Sequence, residues 1–123
     1  MLKKLDVLVI LVKNTAKTAE FYRQLGFAIT EETKDKVSME LGEFYIDFHN
    51  EATVQINDEA GKCPKGLGIY IYVNVDGINE YFKSLKEKGL NPSSEPRDWP
   101  WGNREFVIRD PDGYKLVFYQ KIK

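Results

Sequence analysis

The pair Asp47 and His49 offers the clearest acid–base chemistry in this chain, because His49 is the only histidine among 123 residues. A spacing of two puts both side chains on one face of a β-strand, together with Tyr45. Such a pair is able to transfer protons or to form part of a metal site. The competing interpretation is a solvated histidine at the end of a strand, and no second histidine strengthens the catalytic hypothesis.

A second set of candidate residues is aromatic and suits binding. Tyr70 and Tyr72 alternate in GIYIYVNV, so both should face away from the apolar residues that pack beneath a helix. Trp99 and Trp101 flank a proline in a loop, where a tryptophan either closes a core or a dimer interface or offers a flat face to a planar ligand. Hydroxyl-tipped rings and indoles of this kind are typical of a small-molecule pocket.

Composition narrows the choice of partners. Eighteen basic and nineteen acidic side chains leave a formal net charge of −1, so we expect no nucleic-acid partner. No apolar stretch is long enough to span a bilayer, and Asp6 interrupts the only leader-like run, so no membrane partner is expected either. The single cysteine, Cys63, lacks a partner for an intramolecular disulfide, and a cytoplasmic protein is predicted.

The elements that position these residues follow one order twice. A strand at 5–13 and a helix that ends at Gly26 precede the hairpin segments DKVSMEL and EFYIDFHN. A strand, a helix that ends before Gly89 and the strands NREFVIRD and YKLVFYQ, joined by a PDG turn, repeat this order. We therefore predict a single domain of two modules, at about 3–50 and 67–121, joined by a polar linker.

This order, with the phrases VKNTAKTAEFYRQLGF, SLKEKGL and PWGNREFVIRDPDGYKLVFYQ, resembles the vicinal-oxygen-chelate superfamily. That superfamily includes glyoxalase I, extradiol dioxygenases, fosfomycin-resistance proteins and bleomycin-resistance proteins. PWGNREF before DPDG is most similar to the bleomycin-resistance branch. The resemblance implies an α+β fold, in which two βαβββ modules curve their mixed sheets around a central hollow. It also implies a homodimer with pockets between modules.

Enzymes of this superfamily hold a divalent metal in the hollow through His or Glu from the first and last strands of each module. The matching positions in this chain are Val7, Asp47, Tyr70 and Val117. A hard divalent ion needs several oxygen or imidazole ligands. One carboxylate and one neutral phenol beside two valines fall short, so we expect no metal and no other cofactor.

The resemblance then predicts a metal-independent protein of the bleomycin-resistance type, without catalytic residues, that sequesters an aromatic or amphiphilic compound in a dimer pocket. The tryptophan of the PWG phrase belongs to the ligand site in bleomycin-resistance proteins, and that role carries over to Trp101. A carboxylate is expected to meet any cationic group of the ligand. The predicted ligand-binding residues are Trp101, Tyr70, Tyr72, Phe106, Asp47, His49 and Glu40.

The alternative hypothesis is a metal-dependent enzyme of the same superfamily, a glyoxalase-like lyase or isomerase or an extradiol dioxygenase. Its metal site would be displaced to His49 and Asp47 with Glu40 or Glu43. A third hypothesis is a dimer with a vestigial hollow and no ligand. Arg104 and Glu105 point to opposite faces of a strand and could pair with neighbouring side chains or with a ligand, and structural ion pairs are the favoured interpretation. DPDG is interpreted as a structural turn.

Overall fold

The computed structural model describes residues 1–53 and 59–123. They form two compact units, Met1–Lys65 and Gly66–Lys123. The centre of the predicted polar linker, residues 54–58, lies outside the described residues. No helix in the described part of the chain is long and apolar enough to cross a membrane.

The first unit is a four-stranded mixed sheet with one long helix. Strand β1 is parallel to β4, and the other neighbours are antiparallel, in the order β1-β4-β3-β2. A short 3₁₀ helix follows at Glu59–Lys62. The elements are β1 (Leu8–Val12), α1 (Thr15–Leu25), β2 (Ala28–Glu32), β3 (Lys36–Leu41) and β4 (Phe44–Asn50).

The second unit repeats this topology in the order β5-β8-β7-β6, again with the first and last strands parallel. The α+β class with two mixed sheets is therefore confirmed. Strand β6, which has only two residues, is the short edge of the sheet. The elements are β5 (Tyr70–Asn74), α2 (Ile78–Glu87), β6 (Arg97–Asp98), β7 (Asn103–Arg109) and β8 (Lys115–Lys121).

Local signals set the ends of the first helix as the sequence predicts. The side chain of Asn14 accepts a hydrogen bond from the backbone of Lys17 at 3.0 Å and caps the start of α1. Gly26 ends the helix with φ +106, a left-handed conformation that favours glycine, and its N–H donates to the carbonyl of Arg23. The helix therefore starts and stops where the chain must turn back onto the sheet.

Each helix covers one face of the sheet in its own unit. In the first unit the rings of Tyr22 on α1 and Phe48 on β4 lie 4.8 Å apart, and both are fully buried. In the second unit Phe82 on α2 packs against Phe106, which stacks on Phe118. Because strand side chains alternate, the residues between these core positions lie on the opposite face of each sheet. We call that opposite side the helix-free face.

The DPDG segment forms the turn between β7 and β8. The carboxylate of Asp110 accepts hydrogen bonds from the backbone N–H groups of Asp112 and Tyr114, each at 2.9 Å. Gly113 has φ +90, as the turn requires, and its N–H donates to the carbonyl of Asp110. These hydrogen bonds and the left-handed glycine account for the turn, as its structural interpretation predicts.

Gly66 is packed against this turn, and replacing it tests how closely the two backbones must approach. A Cβ at Gly66 would lie 2.7 Å from the carbonyl carbon of Gly113 and 2.8 Å from the carbonyl oxygen of Asp112. We expect Gly66→Ala to lower the free energy of unfolding by about 1–3 kcal/mol more than Gly42→Ala, because overpacking adds to left-handed strain. Gly42 is the matched control, since it has φ +63 with nothing within 4 Å of its Cβ position. Urea denaturation measures both losses, and equal losses would contradict the close approach.

Candidate functional site

The helix-free face of the second sheet carries a groove of about 210 Å³. Strand β5 contributes Tyr70 and Tyr72, which are 66% and 53% exposed. The register places Val117 of β8 beside Tyr72. The residues that line the groove are Tyr70, Tyr72, Ser94, Glu95, Arg97, Trp99, Glu105, Val107, Lys115 and Val117.

Glu105 is the buried acid of this groove, with only 6% of its surface exposed. It lies on β7, opposite Tyr119 of β8. Its Oε2 atom accepts hydrogen bonds from Nε1 of Trp101 at 2.9 Å and from Nδ2 of Asn103 at 3.1 Å. One carboxylate oxygen therefore holds in place one side chain of the preceding loop and one at the start of β7.

This arrangement corrects the assignment of Glu105 to a structural ion pair, since it forms no salt bridge within the described chain. Arg104, which points to the opposite face, does form the predicted ion pair. Its Nε and Nη2 atoms donate to the two carboxylate oxygens of Asp98 at 2.6 and 3.2 Å. These hydrogen bonds, together with the charge of Arg104, lower the pKa of Asp98.

The tryptophan loop connects β6 to β7. The rings of Trp99 and Trp101 are stacked 4.8 Å apart with an interplanar angle of 10°. The guanidinium of Arg97 lies 4.2 Å from the centre of the Trp99 ring. Trp101 is 60% exposed, so it does not close the core of this unit. It lies beside the groove rather than in its lining, and it reaches the groove through its hydrogen bond to Glu105.

The tyrosines give the groove a hydroxyl-tipped wall. The ammonium of Lys115 lies 4.7 Å from the centre of the Tyr70 ring. Desolvation raises the pKa of Tyr72, and the charge of Glu105 and the neighbouring Tyr70 raise it further. Tyr72 therefore remains a neutral phenol at physiological pH and keeps its hydroxyl as a hydrogen-bond donor.

The prediction that Phe106 contacts a ligand is wrong, because its ring lies on the other face. It is fully buried, 5.2 Å from the ring of Phe82 on α2 and 5.3 Å from that of Phe118. The alternation of NREFVIR gives the physical reason, since Phe106 is in phase with the buried Ile108. The same alternation would have identified Glu105 as the residue on the helix-free face.

The other predicted ligand residues belong to the first unit. Asp47 and His49 lie on the helix-free face of β4, where they pair with Ser38 and Lys36 of β3. Glu40 pairs with Tyr45 on the same face. Tyr70, Tyr72 and Trp101 belong to the second unit. The structure thus brings the predicted residues together in two sets, one in each unit.

The displaced metal site of the enzyme hypothesis is not formed. Within residues 1–53 and 59–123, no group of three His, Cys, Asp or Glu side chains is arranged to hold a metal ion. His49, Asp47, Glu40 and Glu43 all lie within these ranges. Glu43 is in the turn between β3 and β4, outside the strands that carry the other three.

The superfamily's own metal positions do not supply a suitable donor set either. In the first sheet Val9 pairs with Asp47, and in the second Tyr72 pairs with Val117, so Asp47 and Val117 occupy matching places. At these positions the first unit contributes the carboxylate of Asp47, and the second unit contributes the phenol of Tyr70. The ammonium of Lys115 already lies over the Tyr70 ring. Carbon side chains at the remaining two positions cannot replace the water ligands of a divalent ion.

Comparison with known proteins identifies the fold and a family. Residues 4–118 match the family model described as the glyoxalase/bleomycin resistance protein/dioxygenase superfamily. Proteins named bleomycin resistance protein from Geobacillus stearothermophilus and Staphylococcus aureus are 36% identical to the chain over 52 residues. This segment is 42% of the chain and 39% of each relative, so the chain spans about two fifths of the length of these relatives.

Solved structures share the fold over nearly the whole chain. A glyoxalase/bleomycin resistance protein/dioxygenase from Nocardioides has a TM-score of 0.81 at 16% identity and covers 100% of this chain and 87% of its own. A bleomycin resistance determinant encoded on the transposon Tn5 has a TM-score of 0.70 at 20% identity, with 97% and 98% covered. At these identities the likeness shows the fold alone.

Removing the Glu105 carboxylate should loosen the tryptophan loop. Glu105→Ala leaves Nε1 of Trp101 and the amide of Asn103 without their acceptor, whereas the carbonyl oxygen of Glu105→Gln still accepts both bonds. We expect the alanine variant to lose about 1–3 kcal/mol more stability than the glutamine variant. It should also lose the circular-dichroism signal of the stacked indole pair. Identical spectra and stabilities for the two variants would contradict this role.

Proposed function

Because the chain belongs to the glyoxalase/bleomycin resistance protein/dioxygenase superfamily, whose model matches residues 4–118, we propose that it binds a small molecule without a metal. The family match confirms the resemblance inferred from the sequence. The proposed ligand is an aromatic or amphiphilic compound, which the protein sequesters stoichiometrically and does not convert. The names of the bleomycin-resistance relatives support this class of function, and bleomycin is the first ligand to test.

The observation that carries the proposal is the composition of the groove in the second unit. Tyrosine and tryptophan rings lie beside one buried carboxylate, and two of the superfamily's metal positions, Tyr70 and Val117, line the same groove. Apolar surface with a few fixed polar groups is the usual chemistry of a site that binds without reacting. The two indoles are stacked and held by Glu105, so a planar ligand would meet a preorganised surface.

Trp101 is the proposed stacking residue. Its exposure of 60% leaves part of the indole available, while the hydrogen bond to Glu105 restricts its rotation. Tyr70 and Tyr72 would contact the apolar body of the ligand through their exposed rings. In the first unit, Asp47, His49 and Glu40 remain proposed contacts for polar groups of the same compound.

The enzyme hypothesis is less well supported because its chemistry needs an electrophile. Superfamily enzymes use a divalent ion to polarise vicinal oxygens, and the donor groups at the corresponding positions do not suit such an ion. His49 is the only histidine of the chain. Within the described residues it belongs to no group of three His, Cys, Asp or Glu side chains that could hold a metal ion. Binding without catalysis requires none of these groups.

We also propose a cytoplasmic homodimer. The first unit exposes an apolar patch, defined here by Leu8, Phe44 and Tyr45, which line a second groove of about 230 Å³. Phe44 alone is 61% exposed. Apolar surface of this kind is typical of an interface between protein chains.

Calorimetric titration with metal-free bleomycin and a panel of planar compounds, in the presence of EDTA, tests the proposed binding. We expect at least one compound to bind with quenching of tryptophan fluorescence. Trp101→Ala should weaken that binding about tenfold or more, because it removes both buried area and ring stacking. Trp101→Phe is the matched variant, which keeps a flat ring but loses the hydrogen bond to Glu105, and we expect a smaller loss.

Two results would contradict this function. One is the retention of about one tightly bound divalent ion per chain after purification, measured by elemental analysis. The other is the absence of any heat of binding and of any change in tryptophan fluorescence for every compound of the panel. The second result would favour the hypothesis of a vestigial hollow without a ligand.

The dimer is tested by substitution in the apolar patch. Phe44→Ser should halve the mass measured by light scattering, because a hydroxyl in place of the ring removes apolar area from the interface. Leu67→Ser is the control, since Leu67 is 74% exposed and lies in the second unit. A Phe44→Ser protein that stays dimeric excludes this patch, and a monomeric wild-type protein excludes the dimer.

A further inference from the structure

The carboxylate of Glu105 has acceptor capacity that the described residues leave unused. Both donors that reach it, from Trp101 and Asn103, bind the same oxygen, Oε2. An ionised carboxylate offers about four acceptor sites on its two oxygens. Within the described residues, the second oxygen, Oε1, accepts no hydrogen bond.

This second oxygen is not sealed in the core. No side-chain oxygen or nitrogen in the described part of the chain is both fully buried and without a hydrogen-bond partner. Glu105 is a buried residue that lines the groove, so Oε1 must be the part of it that retains access to the surface. A carboxylate oxygen in such a place is costly to leave without a donor.

The aromatic walls of the groove already hold cations. The Arg97 guanidinium lies 4.2 Å from the centre of the Trp99 ring, and the Lys115 ammonium lies 4.7 Å from that of Tyr70. Electron-rich ring faces attract positive charge. Both basic side chains are long and flexible and are anchored far from their charged ends, so a ligand is able to displace them.

We propose that Oε1 of Glu105 binds a protonated nitrogen of the ligand, and that the groove therefore prefers planar aromatic cations to their neutral counterparts. This inference rests on the proposed function, because it names the class of compound that the groove takes. The ring of the ligand lies against the tyrosine and tryptophan walls while its N–H group donates to Glu105. Once Arg97 and Lys115 are displaced, an anionic ligand would meet the negative charge of Glu105, which is almost fully buried.

The preference is measurable because the hydrogen bond is charge-assisted and poorly solvated. A bond of this kind changes affinity by about tenfold to a hundredfold. Neutral planar compounds keep only the stacking contribution. The ratio of the two affinities isolates the Glu105 contact from the contribution of the rings.

Proflavine and acridine form a suitable pair of probes. Both are flat three-ring compounds, but proflavine is a cation at neutral pH and acridine is mostly neutral. We expect the wild-type protein to bind proflavine at least tenfold more tightly than acridine in calorimetric titrations. Glu105→Gln should reduce this ratio to below about threefold, because an amide NH₂ replaces the acceptor in the groove while the amide oxygen keeps the bonds to Trp101 and Asn103.

Glu87→Gln is the control for net charge. It removes the same negative charge from the exposed surface of α2, and we expect it to keep the wild-type ratio. Circular dichroism and urea denaturation verify that both glutamine variants are folded as the wild type.

The outcomes separate this inference from the function on which it rests. Equal affinities of the wild-type protein for the two probes overturn the role of Glu105 but leave an aromatic binding site intact. A proflavine preference that persists in Glu105→Gln also overturns it. If neither probe binds the wild-type protein, the result counts against the proposed aromatic site itself.

Discussion

Within each unit the described helix covers one face of the sheet, and this constraint decides which residues are available for function. Strand side chains alternate, so every second residue of β7 is committed to the core beneath α2. Phe106 is committed in this way, while its neighbour Glu105 faces the groove. A shift of one residue in the register would exchange a buried ring for a buried charge, and the hydrophobic pattern therefore fixes the position of the carboxylate.

The sequence was sufficient to predict the features that arise from local chemistry. Asn14 and Gly26 mark the ends of α1, and DPDG forms the predicted turn. The resemblance to the superfamily correctly implies the α+β class. The first strand is shorter than predicted, Leu8–Val12 instead of 5–13, because its pairing with β4 begins only at Leu8.

The features that were missed depend on contacts between segments. Strand β6 has only two residues. It forms because the tryptophan loop reverses the chain and brings Glu105 of β7 opposite Arg97. The hydrogen bond between Trp101 and Glu105 depends on the path of that loop, which no periodic pattern describes. The error at Phe106 was of another kind, because the alternation that corrects it was present in the sequence.

Matching positions in the two sheets carry side chains of different charge and type. Lys36 pairs with His49 in the first sheet, where Glu105 pairs with Tyr119 in the second. The first helix-free face is therefore ionic, and the second combines rings with one buried acid. A divalent ion would give such a face positive charge and attract the oxygens of a substrate. In the proposed binding mode, where the ligand displaces the Arg97 and Lys115 side chains, the Glu105 carboxylate and the electron-rich rings would attract a positive charge instead.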